Sequence, residues 1–273
     1  MSRNNDKRNL KHRLYKLLAV GFWLAVWSIV SRIIDNEILL AAPGQVLKTI
    51  AELGKTPDFW LTIGNSSLHI ILGFLLAVAA GTVLAVLSYW IGVFRELISP
   101  VIKVIKSTPV ASFIILAIFW FDSRNLSTLI SFLMVLPVVF LNIFQGLKAA
   151  DEKLLQLAAV FRLSLWRKIR AIYLPAVLPY MMAAISIGLG FGFKSGIAAE
   201  VIGIPARSIG RKLYEAKLYL MTKEMLAWSA VIILISVLFE KAVLLIIKLL
   251  QRKDSQSLNK TEHETGQMPG RPQ

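Results

Sequence analysis

Apolar residues in this chain come in long blocks rather than in short alternating runs. A helix needs about 20 apolar residues to cross a hydrocarbon core, and six blocks approach or exceed that length. They are Leu14–Ile34, Leu68–Gly92, Pro100–Phe121, Leu126–Leu147, Ala171–Ala199 and Met225–Ile247. Charge is sparse inside them. The second and fourth contain no Asp, Glu, Lys or Arg, and the fifth contains only Lys194. Lys103 and Lys106 sit at the start of the third, placed to snorkel to an interface. The sixth carries the adjacent pair Glu240 and Lys241, which point about 100° apart and are each expected to find a partner elsewhere or to reach the cytoplasmic interface. The pattern predicts an all-α polytopic membrane protein with about six transmembrane helices.

Composition agrees with that fold class. Hydrophobic residues make up 56% of the 273, and only 17% are charged. A soluble domain cannot hide that much apolar surface. There are no cysteines, so disulfides and thiolate ligands are excluded. The histidines (His12, His69, His263) have no metal-ligand spacing, so no metal or other cofactor is expected.

The net charge of +15 raises nucleic acid as a partner, and its placement removes the need for one. With the N-terminus inside, the segments 1–16, 93–106, 148–170 and 248–273 are cytoplasmic and carry 20 Lys and Arg. The outer segments 35–67, 122–125 and 200–224 carry 8, balanced by eight acids. That is the positive-inside distribution, with both termini cytoplasmic and the basic loops facing anionic lipid. A basic lead (Arg3, Lys7, Arg8, Lys11, Arg13) precedes the first block, but no small-x-small cleavage site follows, so this block is read as an uncleaved span. The expected layout is a basic tail over 1–16, a membrane domain over 17–250 and a disordered polar tail over 251–273.

Residues 188–200, GLGFGFKSGIAAE, contain a lysine and serine that resemble the end of a phosphate-binding loop. Such a loop needs glycine directly before the lysine and a strand before the loop. Phe193 stands there instead, inside an apolar helix. The glycines make sense at helical spacing: Ala184, Gly188, Gly192 and Gly196 recur every four residues, a stripe that lets another helix approach closely. Lys194 lies off this stripe. It either reaches the outer interface or, with Ser195 and Glu200 nearby, lines a water-filled path for a solute.

Two further features carry candidate function. In the loop after the fourth block, Leu154, Leu157, Phe161 and Leu165 form an apolar helical face beside basic Arg162, Arg167, Lys168 and Arg170. In the last outer segment, Ile209, Leu213, Ala216 and Leu220 form another, with Arg211 and Lys212 off it. That helix either lies on lipid or closes the bundle, or it offers its cations to an acidic partner. Pro109 and Pro137 fall inside predicted spans and are expected to kink them. Asn142 and Gln145 are expected to join helices by hydrogen bonds.

The run QLAAVFRLSLWRKIRAIYLPAVLPY, an apolar helix and then SGIAAEVIG resembles the inner-membrane permeases of ABC importers. The likeness is to the binding-protein-dependent branch that includes nitrate, sulfonate and taurine systems. It spans roughly residues 60–245. The family's loop motif is E-A-A, three residues, G, twelve residues and a proline. Anchoring on Pro175 places the Glu at Gln156, the alanines at Leu157 and Ala158, and the Gly at Arg162. Ser164 and Trp166 also match. Arg162 departs most, because arginine meets a steric cost where glycine turns with positive φ.

The resemblance implies a type I ABC importer permease fold in which two permease chains share a pathway. It implies a separate cytoplasmic ATPase docking on the loop 148–175, through Gln156, Leu157, Ala158, Phe161, Leu163 and Trp166. It also implies an extracytoplasmic binding protein, for which Arg211 and Lys212 are candidate contacts. Lys194 then suits a small anionic solute, and no residue is expected to be catalytic. The competing readings are an ATP-independent secondary transporter, which inverted repeats would signal, and a membrane enzyme, which needs converging acid and base groups. Neither signal is present in the sequence.

Overall fold

The computed structural model describes residues 2–265. Eleven α-helices follow in order: α1 (Ser2–Ile34), α2 (Pro43–Leu53), α3 (Pro57–Trp90), α4 (Gly92–Ser107), α5 (Val110–Ile118), α6 (Ser123–Lys148), α7 (Glu152–Val160), α8 (Leu165–Lys168), α9 (Leu174–Gly203), α10 (Ile209–Leu218) and α11 (Thr222–Thr265). A π-helical turn, Ile169–Tyr173, joins α8 to α9. The cause is local. Pro175 has no N–H to give to the carbonyl four residues back, and the Leu174 N–H instead reaches Ile169 O, five residues back.

Among the described residues, five helical segments are long and apolar enough to cross a membrane: Leu17–Ile34, Pro57–Trp90, Ser123–Lys148, Leu165–Gly203 and Thr222–Ile247. The expected third span is broken. α4 and α5 meet at 99°, and the pair makes a sixth span only if both halves count as one. Pro109 was expected to kink a continuous helix; it caps α5 at the break instead. A residue before proline is pushed out of the helical region, and Thr108 is extended at φ −79°, ψ 131°. The hydroxyls of Ser107 and Thr108 close the α4 end by donating to Val104 O. Pro137, in contrast, sits inside the uninterrupted α6. α11 continues to Thr265, so helix occupies the first part of the tail expected to be disordered. No Gly or Pro interrupts it before Gly266; residues 266–273 lie outside the described residues.

The chain forms two compact units. The first comprises residues up to Ser67 together with Glu200–Ile233. Its small core holds Ala41, Val46 and Ala227, with Trp27, Ile50, Leu53 and Leu226 against them. Polar ties fix its loops. Trp27 Nε1 donates to Ala41 O at 3.1 Å, and Ser31 Oγ donates to Leu40 O at 3.0 Å. Lys223 Nζ lies 2.6 Å from the Glu37 carboxylate. The hydrogen bond from Lys223, then that from Gln45, holds this exposed carboxyl below its usual 4.5. A depressed carboxyl strengthens its tie above the unfolded value and loses it as pH falls through the lower folded value.

The second unit comprises Leu68–Ala199 and residues from Leu234 onward. Its core runs through α3, α6 and α9, with Phe74, Val135, Val139, Ile143, Ala184 and Leu189 buried. Ala184, Gly188, Gly192 and Gly196 lie on α9, and the three glycines sit close to neighbouring side chains. A Cβ on Gly196 would meet Ser131 Oγ at 2.5 Å and Ile70 Cγ1 at 2.6 Å. One on Gly188 or Gly192 would press on Val135. Ser131 Oγ uses the close approach to donate to Gly192 O at 2.9 Å.

A second stripe, not read from the sequence, lies on α3. Gly73, Ala77, Gly81 and Ala85 also recur every four residues. A Cβ on Gly73 would lie 2.3 Å from Thr128 O, and one on Gly81 would lie 2.9 Å from Val139 Cβ. α6 is thus clasped between small-residue faces of α3 and α9.

Candidate functional site

The segment α7–α8 begins with Asp151, whose carboxylate accepts from the Lys153 N–H at 2.8 Å and caps α7. It was expected to be one amphipathic helix, but it turns sharply after Val160. The Leu163 N–H donates to Ala158 O and the Arg162 N–H to Ala159 O, the paired bonds of a Schellman motif. Arg162 occupies the left-handed position at φ 48°, the place where the family motif carries glycine. The replacement therefore keeps the turn at a steric cost.

This turn sorts the side chains by direction. Ala158 is only 2% exposed and packs into the core of its own unit with half-buried Leu155 and Leu163 beside it. Ala158 was expected on the outward docking face; its burial corrects that placement, and it serves as the seat on which α7 rests. Leu163 is half turned inward in the same way. Outward lie Gln156, Leu157, Phe161, Ser164, Leu165 and Trp166, together with Val160. Trp166 is 72% exposed, Phe161 68% and Val160 78%. Large apolar side chains are thus left uncovered along this segment. Arg162 and Pro175 are exposed at its edges.

The residues placed near a solute path separate. Lys194 is exposed. Ser195 is buried, and its hydroxyl donates back to Phe191 O at 2.7 Å within its own helix, so it does not face a path. Glu200 is buried too, a second correction. Its Oε2 accepts from Ser66 Oγ at 2.8 Å and from the Gly210 N–H at 3.1 Å. Ser66 Oγ in turn accepts from the Ile209 N–H at 2.8 Å. Burying a carboxylate is costly unless such donors meet it, and here they pin the start of α10 to the end of α9. A Cβ on Gly210 would lie 2.3 Å from Glu200 Cβ, so only glycine allows this contact. The loop between the two helices is strained, with Ile204 at φ 47° and Arg207 at φ 52°.

On α10 the apolar face turns inward. Ile209 and Ala216 are buried and Leu213 is half-buried, while Leu220 falls beyond the helix and is exposed. Arg211 is ion-paired with Glu215 at 2.8 Å and Lys212 with Asp58 at 2.9 Å. The two cations are therefore partly neutralised where they stand. Asn142 donates to Val138 O of its own helix rather than joining another, and Gln145 is exposed. Glu240 does find a partner elsewhere, accepting a hydrogen bond from Ser186 Oγ.

Comparison with known proteins fits this geometry. Residues 70–255 match the family described as "Binding-protein-dependent transport system inner membrane component". A putative aliphatic sulfonates transport permease protein of Bacillus subtilis is 24% identical over 240 residues, covering 87% of this chain and 85% of its own length. The taurine transport system permease protein of Escherichia coli is 25% identical over 220 residues, covering 78% and 80%. A nitrate import permease protein of Synechococcus elongatus is 24% identical over 203 residues, covering 71% and 73%.

Proposed function

This chain belongs to the binding-protein-dependent transport system inner membrane component family, and from that premise we propose how it works as the permease subunit of an ABC importer. ATP is hydrolysed on a separate cytoplasmic ATPase subunit. Two copies of the permease share the pathway, an extracytoplasmic binding protein delivers the solute, and both termini lie in the cytoplasm of a cell whose membrane lipid surrounds the spans. The solute is small, such as a sulfonate, nitrate, taurine or a vitamin-precursor-like compound, in line with the names of the relatives.

The exposed apolar surface of α7–α8 carries the reading. Leu157, Phe161 and Trp166 face away from the permease, and such a surface fits a groove on a soluble partner. α7 is seated through Ala158 on the core shared by α3, α6 and α9. A push on the outward face therefore reaches the spans through packed side chains rather than through a slack loop. Arg211 and Lys212 remain candidates for the binding protein, acting as a mixed-charge patch with Glu215 and Asp58.

The test is substitution on the two sides of α7. Leu157→Glu and Trp166→Glu are expected to cut ATP-dependent solute uptake about tenfold or more, because a charge is forced into an apolar contact. Both variants should keep their wild-type amount in the membrane. Normal uptake by both would sink the docking assignment.

A further inference from the structure

The first unit holds a polar cavity of about 250 Å³ between the first turn of α3 and the start of α10. Small-molecule sites run from roughly 300 to 1,000 Å³, so this one has room for a single side-chain head group rather than a whole solute. Five charged side chains line it: Asp58 from α3, Arg207 from the loop before α10, and Arg211, Lys212 and Glu215 from α10. Three cations face two carboxylates, which leaves one positive charge over. The ion pairs show where it sits. Arg211 is joined to Glu215 at 2.8 Å and Lys212 to Asp58 at 2.9 Å. Among the described residues no ion pair joins Arg207 to an acid, and Arg207 is exposed.

The chain holds Arg207 in place at a steric cost. It stands at φ 52°, a left-handed position that an L-residue keeps only where its surroundings fix it. Asn65 Nδ2 donates to Arg207 O at 3.0 Å, and on the other side Ser208 Oγ donates to Pro205 O at 3.0 Å. The N–H groups at the start of α10 form no anion site of their own. That of Ile209 is taken by Ser66 Oγ, that of Gly210 by Glu200 and that of Arg211 by Ser208 Oγ. Attraction for an anion thus comes from the Arg207 side chain, a planar fork that binds a carboxylate through two parallel hydrogen bonds. A single carboxylate brings the cavity to neutrality.

We infer that this cavity is a socket for one carboxylate side chain on the surface of the extracytoplasmic binding protein. Arg207 is its anchor, and the Arg211–Glu215 and Lys212–Asp58 pairs form its rim. With both termini in the cytoplasm, residues 35–67 and 200–224 face outward, where that protein docks. The inference rests on the importer reading for this partner.

The test is docking of the loaded binding protein on the assembled permease–ATPase complex in lipid nanodiscs. Arg207→Glu should raise its dissociation constant about tenfold or more. Arg207→Gly deletes the anchor and relieves the left-handed turn. It should weaken docking about tenfold while the thermal midpoint of the complex stays level or rises, which a merely structural role for Arg207 would not give. Lys217→Glu, exposed on α10 outside the cavity, makes the same change of charge nearby and should shift docking less than about threefold. One Asp→Arg or Glu→Arg change on the binding protein should dock poorly on the wild-type chain and recover on Arg207→Glu. Unchanged docking by both Arg207 variants, an equal loss from Lys217→Glu, or no reversal that recovers overturns the inference. A wild-type chain that docks no binding protein overturns the importer reading with it, whereas docking that ignores Arg207 overturns the socket alone.

Discussion

Arg162 has the steric cost of a left-handed turn without glycine's freedom. A left-handed L-residue costs about 1–2 kcal/mol, partly offset because glycine loses more entropy on folding. Arg162→Gly should therefore stabilise the purified chain by about 0.5–1 kcal/mol, read as a higher thermal midpoint; a lower midpoint would contradict the turn. The glycines of α9 give a sharper contrast. Gly196→Ala drives a methyl into Ser131 and Ile70 and should destabilise by about 1–3 kcal/mol. Gly190→Ala meets nothing within 4 Å and should gain up to about 1 kcal/mol of helix propensity. Equal effects would show that the stripe is not packed. Single residues also mark where the sequence was silent. Leu220 closes α10 at φ 54°, in the same motif as Arg162. Neither end carries the glycine that signals a stop, so in the sequence a periodic face runs on through both. Glu200 read as an exposed path residue because its donors, Ser66 and the Gly210 N–H, are distant in sequence.

At the scale of elements, the four-residue stripe of α9 was legible because small residues at that period have one main use in membrane helices. The equivalent stripe of α3 was equally present and would have been found by the same count. The break between α4 and α5 was half legible: Pro109 predicted a bend, but not a turn of 99° between two separate helices. The split of the loop into α7 and α8 gives this scale its prediction. Ala158→Glu should lower the amount of folded permease, because it buries a charge in the core, whereas Leu157→Glu should leave that amount unchanged and act on uptake alone. Similar losses of folded protein from both would mean that α7 has no outward face.

For the whole molecule, the hydropathy pattern foresaw the spans, and the family match over residues 70–255 agrees with the resemblance carried by the loop after the fourth span. The apolar side chains of α1 over Leu17–Ile34 are mostly exposed, which suits lipid or a second permease chain. The central claim is that ATP drives transport through this subunit. Its most direct test is purification from the native membrane in mild detergent, reconstitution into vesicles with its binding protein, and measurement of solute uptake with ATP inside. The account predicts that an ATPase co-purifies with the chain and that uptake requires ATP hydrolysis. Uptake by the chain alone, driven by an ion gradient and indifferent to ATP, would contradict it.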